Sequence, residues 1–352
     1  MALFDPLRQR ALTLRNRIVV SPMCEYSSEE GFPNEWHAVH LGSRAVGGAG
    51  LVFTEATAVL ADGRITPRDA GIWNDAQADA WAPIAAFIES QGAVPGMQLA
   101  HAGRKASSAV PWAGGAQLSS AEGGWETVAP SPLPLTPDNA PPAELDEPGL
   151  RAVVTGFRDA AVRALSAGFR VAEIHAAHGY LLHEFLSPLA NERTDTYGGS
   201  LENRARLLLE TVEAVRAAWP EELPLWVRIS ATDWAAGGWD IDESVEVARL
   251  LGPLGVDLVD VSSGGLVRNQ QVVPGPGYQV PFAERIRREA GIATGAVGLI
   301  TEARQADEIV ALGQADVVLL ARELLRDPYF PRRAAKELGV ELTPPVQYAR
   351  AW

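Results

Sequence analysis

Residues 169–180 read FRVAEIHAAHGY: a short, largely apolar run that ends in two histidines three apart, with a tyrosine two further on. The run is one of eight. RIVVSPM (17–23), GLVFTEA (50–56), AVPGMQL (93–99), LWVRIS (225–230), VDLVDVS (256–262), ATGAVG (293–298) and DVVLLA (316–321) are of the same kind. Each precedes a stretch of helical period, such as DAQADAWAPIAAFIESQ (75–91), SLENRARLLLETVEAVRAAW (200–219) or TEARQADEIVALG (301–313). Strands this apolar have no face to offer water, and strands alternating with helices favour parallel pairing. The pattern predicts an α/β chain folded as a (β/α)8 TIM barrel over a single domain, residues 1–352. A doubly wound open sheet is the alternative, but no GxGxxG follows the first strand, which weakens its dinucleotide-binding form.

Residues 102–146 interrupt the alternation. They include VPWAGGAQLSSAEGGWETVAPSPLPLTPDNAPP, dense in Pro, Gly and Trp, and are long for an irregular connection in a domain. Coming after the third strand, this excursion would lie on the C-terminal face of the barrel and cap whatever is built there.

Composition narrows the functions. The 352 residues carry a net charge of −14, and the only lysines are Lys105 and Lys336. Such a field repels nucleic acid and anionic membranes. Cys24 is the only cysteine, so intrachain disulfides, iron–sulfur clusters and cysteine-rich zinc sites are excluded. A lone thiol, no apolar leader and no run long enough to span a bilayer suggest a cytoplasmic protein.

Loops that follow barrel strands converge on one face, where active sites are built. That rule gathers Cys24 and Tyr26 after the first strand, Ala56 after the second and Gln98 after the third. His175, His178 and Tyr180 follow the fourth, and Arg228 ends the fifth. Three readings of the histidine pair are open. A metal would need a third protein ligand and usually a carboxylate, and no cysteine or acidic residue lies among IHAAHGY (174–180); a metal-dependent hydrolase or aldolase barrel is the rival enzyme. A structural pair would only brace its own loop. Two adjacent N–H donors could instead hold a carbonyl oxygen as negative charge builds on it, with Tyr180 as proton donor. That third reading suits reduction of a conjugated alkene. It requires a hydride source that no side chain can supply, hence a cofactor.

A flavin fits. Arg228 would stabilise the anionic edge of its reduced ring, and Gln98 would pair with the ring's polar atoms. A phosphate tail would dock at VGLIT (297–301), which contains Gly298, and at LARELL (320–325), where Ala321 precedes Arg322. The plainer readings are a buried salt bridge for Arg228, a surface ion pair for Arg322 and a buried structural thiol for Cys24.

With these residues in place, the chain resembles the old yellow enzyme family of flavin-dependent ene-reductases. The likeness is strongest in IHAAHGYLLHEFLSPLANERTDTYGGSLENR (174–204) and extends to SPMCEYS (21–27), VRIS (227–230), ARELLRDPYF (321–330) and QYARAW (347–352). It is nearest to the thermophile-like class of NADPH dehydrogenases and xenobiotic reductases. The resemblance implies non-covalent FMN contacted by Ser21, Pro22, Met23, Cys24, Ala56, Gln98, Arg228, Ala321 and Arg322. It also implies substrate binding by Tyr26, His175 and His178, protonation by Tyr180, and a flavin-tuning role for Cys24. NADPH, with NADH as the weaker alternative, would be the co-substrate, and electron-poor alkenes would be the acceptors in a ping-pong cycle. Many relatives carry Gly where this chain has Ala321, so a methyl group would face the phosphate. The resemblance further implies a homodimer or homotetramer in which a C-terminal arm, about 340–352, carries Arg350 into the neighbouring subunit's site.

Overall fold

In the computed structural model, which describes residues 1–351, the eight apolar runs are eight parallel strands of one closed barrel. A hairpin precedes them, β1 (Leu7–Gln9) and β2 (Leu12–Leu14). The barrel strands are β3 (Ile18–Val20), β4 (Leu51–Ala58) and β5 (Val94–Ala100), then, after a small pair β6 (Val128–Ala129) and β7 (Ala143–Glu144), β8 (Val171–Ala176), β9 (Leu225–Ser230), β10 (Leu258–Ser262), β11 (Ala293–Ala296) and β12 (Val317–Leu320). Val318 on β12 pairs with Ile18 on β3, which closes the ring and eliminates the open-sheet alternative.

Helices α1 (Glu35–Val46), α2 (Asp75–Ser90), α3 (Glu147–Ser166), α4 (Leu181–Leu186), α5 (Leu201–Ala218), α6 (Ile241–Leu251), α7 (Val280–Ala290), α8 (Ala303–Ala311), α9 (Arg322–Arg326) and α10 (Phe330–Glu337) lie between and after the strands. Their starts follow from side chains that satisfy free N–H groups. Asn34 caps α1, Asn74 caps α2 and Asp146 caps α3.

Side chains alternate across a strand, so every second residue faces the barrel interior. Along β8 that series is Val171, Glu173, His175; along β9 it is Trp226, Arg228, Ser230; along β10 it is Leu258, Asp260, Ser262. Each begins apolar and ends polar. Val171, Trp226 and Leu258 pack with Leu14, Val19, Leu51, Phe53, Val317 and Leu319 into a plug, against which Leu7 and Leu12 of the hairpin lie. The strand pattern gave no sign of this hairpin, because three-residue strands carry too little periodicity to read. The polar ends are concentrated at the opposite mouth.

Residues 102–146 form single turns, Gly103–Lys105, Pro111–Ala113 and Ser120–Glu122, together with the β6–β7 pair. Arg104 ties them to the mouth, donating to the carbonyls of Leu133 (3.2 Å) and Leu266 (3.1 Å). At the other end of the chain, residues 340–344 flank α10 and Arg350 is exposed. Trp352, the last residue of the expected arm, lies outside the described residues.

Candidate active site

The turn after β8 is built under constraint. His178 adopts a left-handed backbone, φ 60°, which is costly for a residue with a Cβ. Its N–H donates to Ser230 Oγ (2.9 Å), and that hydroxyl donates on to the Gly264 carbonyl (2.8 Å). Its carbonyl accepts from Lys105 Nζ (2.7 Å), which also donates to the Gly265 carbonyl. The two chain segments approach so closely that a Cβ at Gly179 would lie 2.4 Å from the Gly265 oxygen. Beneath the turn, buried His183 accepts from Gly179 N–H at Nδ1 (2.9 Å), so its Nε2–H faces Asp233 Oδ1 at 3.0 Å. His178 is thus positioned by neighbouring strands and by the excursion, not by its own loop alone.

The ring tautomers follow from these contacts. Ala177 N–H donates to His175 Nδ1 (3.2 Å), so the neutral ring carries its proton on Nε2, for which there is no acceptor among the described residues. His178 Nε2 meets Ser262 Oγ at 2.7 Å, whereas Ser262 is 3.5 Å from Gln279 Oε1. If the hydroxyl gives its proton to the nearer partner, His178 keeps Nδ1–H for a ligand. Burial, then the positive charge of Arg228, holds both imidazoles well below the usual histidine pKa, so they are neutral donors in the working range. Their centroids are 5.1 Å apart, and the Tyr180 ring lies 5.1 Å from His175, edge to face. Burial, with Cys24, Tyr26 and Asp69 nearby, pushes the Tyr180 hydroxyl well above its ordinary pKa, so it keeps its proton.

Arg228 differs from the expectation that weighed a ligand against a salt bridge, because the salt bridge is present. Its Nε lies 2.9 Å from Asp260 Oδ2, and both side chains are buried. Asp260 is its register partner on the adjacent strand, so β9–β10 pairing brings the charges together. Its Nη2 donates to Ser21 Oγ (3.1 Å). A guanidinium has further N–H groups, so the ion pair and a ligand are not exclusive. Gln98, in register with Glu173 on β8, donates from Nε2 to Glu173 Oε1 (2.8 Å) and so leaves its own carbonyl oxygen for a ring.

Ser21, Pro22, Met23 and Cys24 leave β3 along the mouth, and Ser21 N–H bonds the Leu320 carbonyl (3.0 Å). Cys24 and Tyr26 lie beside each other at the mouth. Burial, with Asp69 and Glu55, raises the Cys24 pKa well above normal, so it is a thiol and not a thiolate. Ala56 sits beyond an irregularity in β4 and pairs with Gln98. Gly298, Ala321 and Arg322 line a separate small cleft of about 160 Å³ with Ser262, Tyr278 and Thr301. At Gly298, φ is +129° and a Cβ would stand 3.1 Å from the Gln279 amide, so glycine is required there. Arg322 is exposed and makes no ion pair among the described residues. A cleft of this size with an exposed guanidinium suits a phosphate, and the buried arginine and the amide oxygen at the mouth suit the polar edge of a flavin ring; Ser262, which meets His178, borders the cleft. Among the described residues, no three His, Cys, Asp or Glu side chains converge as a metal site would need.

Sequence reasoning missed Lys105, Glu173, Ser230, Asp260 and Ser262 as parts of this constellation. The signal was present for some: Ser230 and Ser262 end LWVRIS and VDLVDVS at the same register.

A parallel barrel with this polar mouth supplies the groups that a flavin-dependent oxidoreductase needs. The chain belongs to the NADH:flavin oxidoreductase / NADH oxidase family, whose model matches residues 2–341. It is 50% identical over 352 residues to the NADPH dehydrogenase of Geobacillus sp. (strain WCH70), covering 99% of this chain and 98% of that one. It is 48% identical to the NADPH dehydrogenase of Bacillus subtilis (strain 168), over 99% of both. Among solved structures it is similar to the old yellow enzyme homologue from Zymomonas mobilis, with TM-score 0.79 and 29% identity over 99% of this chain and 96% of that one. Morphinone reductase in complex with tetrahydroNAD gives TM-score 0.79 and 28% identity, over 99% and 94%. The resemblance drawn from 174–204 therefore holds over the length of the chain. No helix among the described residues is long and apolar enough to cross a membrane.

Proposed function

We propose that this protein is an FMN-dependent NADPH dehydrogenase that reduces the C=C bond of electron-poor alkenes: unsaturated ketones and aldehydes, maleimides and nitroalkenes. The observation that carries the reading is the His175 tautomer. With Nδ1 occupied by Ala177 N–H, its Nε2–H is a free donor beside a second imidazole and a phenol. The chemistry the flavin supplies when bound is relay of a hydride from reduced nicotinamide to the alkene β-carbon. His175 and His178 hold the carbonyl or nitro oxygen, where charge accumulates, and being neutral they lose no proton to it. Tyr180 delivers a proton to the α-carbon. Ser21, Pro22, Met23, Cys24, Ala56, Gln98, Arg228, Gly298, Ala321 and Arg322 would hold the FMN, and Tyr26 would flank the substrate. NADPH is favoured over NADH by the activity named for the relatives.

The test is a spectral titration of the holoenzyme with a simple phenol. A long-wavelength charge-transfer band is expected, and its absence would sink the reading. His175→Ala with His178→Ala removes two hydrogen bonds to a charged oxygen and is expected to weaken phenol binding by about 100-fold or more, with flavin content unchanged. Equal affinity in the variant would remove both histidines from the oxygen site.

The assembly is a homo-oligomer in this reading. Trp36 and Val39 on α1, Phe87 on α2, and Val346 and Tyr348 in the arm are exposed apolar residues, with Val346 85% exposed. A second copy would cover such a surface. Removing residues 347–352 is expected to weaken association and lower turnover together, because Arg350 then cannot reach the neighbouring site. Unchanged size in solution and unchanged kinetics would remove the arm from both roles. A single thiol at Cys24 suits the reducing cytoplasm.

A further inference from the structure

Two clefts meet at the mouth. The first, about 570 Å³, is lined by Tyr26, Tyr180 and Lys105, and on the reading above it receives nicotinamide and alkene in turn. The second, about 810 Å³, runs under the excursion between residues 114–120 and 136–141. They share Gly114, Gly115 and Arg268. A Cβ at either glycine would meet nothing within 4 Å, so the boundary between the clefts is bare backbone beside open space.

Arg268 is exposed and makes no hydrogen bond or ion pair with the described residues. Its loop is nonetheless anchored. Arg104 donates to the Leu266 carbonyl (3.1 Å), Lys105 to the Gly265 carbonyl, and Gly265 N–H to Gln270 Oε1 (2.7 Å). Lys105, the other cation of the first cleft, is occupied by two carbonyls and lies over the Tyr180 ring. A free guanidinium is therefore held at the seam of two clefts in a chain of net charge −14. An anionic ligand needs such a local cation to offset that field.

We propose that the second cleft seats the adenosine end of the nicotinamide coenzyme and that Arg268 binds its pyrophosphate. The inference rests on the site reading above. With nicotinamide in the first cleft, the pyrophosphate is the next charged group outward, and a planar guanidinium matches phosphate oxygens in pairs. Trp125 lines the second cleft; Arg64 covers one face of its ring, 4.9 Å from the centroid, and its remaining surface would pack against a purine. Glu126 and Asp138 line it too; their carboxylates accept from the adenine amino group and the free ribose hydroxyls and repel phosphate, so the 2′-phosphate of NADPH would point out of the cleft.

Rapid-mixing reduction of the holoenzyme by NADPH, NADH and N-benzyl-dihydronicotinamide, which has neither phosphate nor adenosine, tests the proposal. In Arg268→Ala, half-saturation for both coenzymes is expected to rise about tenfold, with the benzyl compound unaffected. The salt dependence of NADPH binding should shrink as well. Ala116→Trp, which fills the second cleft from an exposed position, should give the same pattern. Unchanged NADPH binding in both variants would overturn the assignment, as would an equal loss with the benzyl compound. The phenol titration is independent of Arg268, so a normal charge-transfer band alongside unchanged NADPH binding would reject the groove and keep the site.

Discussion

Tyr180→Phe is expected to slow alkene reduction by about 10²–10⁴-fold, the usual worth of a positioned general acid. Reduction of the bound flavin by NADPH should stay near the wild-type rate, since that half-reaction takes up no proton from Tyr180. The substitution is clean because the ring, not the hydroxyl, makes the packing contacts. Its edge meets His175 at a centroid distance of 5.1 Å, and Lys105 Nζ lies 5.3 Å from its centroid on the ring face. Phe preserves both. Burial keeps the Tyr180 proton in place above the ordinary range, so the wild-type oxidative half-reaction should show no alkaline decline below about pH 10 from this group. Rapid-mixing measurement of each half-reaction decides the matter. An equal loss in both would make Tyr180 a structural or stacking residue and leave the α-carbon without its donor.

The barrel was legible because its strands are buried on both faces and so read as apolar runs. All eight lie within a few residues of where LWVRIS and its counterparts end. The residues that gather at the mouth were legible for a related reason, since strand ends converge whatever the loops do. The strain and the partners were not. Nothing in AAHGY announces that His178 is left-handed, because that conformation is imposed from Ser230 and Lys105, 52 and 73 residues away. The role of Lys105 depends on the excursion folding back over the turn, and an irregular segment has no period from which to infer its path. The Arg228–Asp260 pair needed only the register between β9 and β10. Once the barrel is assumed, residues at matching depths on adjacent strands can be compared, and VRIS against VDVS sets arginine beside aspartate.

That pair carries the second large effect. Replacing Glu173 with Gln and Asp260 with Asn together leaves the Arg228 guanidinium buried without a counter-charge, and is expected to cost about 3–5 kcal/mol of stability. Asp260→Asn alone should cost well below that. Glu173 is held protonated by burial first and by Asp260 second, while Arg228 pulls the other way. With Asp260 neutral, the second influence vanishes and Glu173 can ionise to take over the charge. It sits on β8, the other neighbour of β9, with Oε1 on Gln98 and Oε2 without a hydrogen-bond partner among the described residues. The two substitutions should therefore be coupled by at least about 1 kcal/mol in a double-mutant cycle. The pH dependence has a fixed sign. Asp260 is raised to about 6 by burial, so the unfolded chain releases this proton before the folded one does. Stability should fall as pH rises between about 4 and 6, and the Asn variant should show a shallower slope, keeping only the part that comes from Glu173, which burial raises as well. Urea unfolding followed by tryptophan fluorescence measures both. Additive costs together with an unchanged slope would mean that the two carboxyls do not share the Arg228 charge, and that the floor of the mouth is set by the ion pair alone.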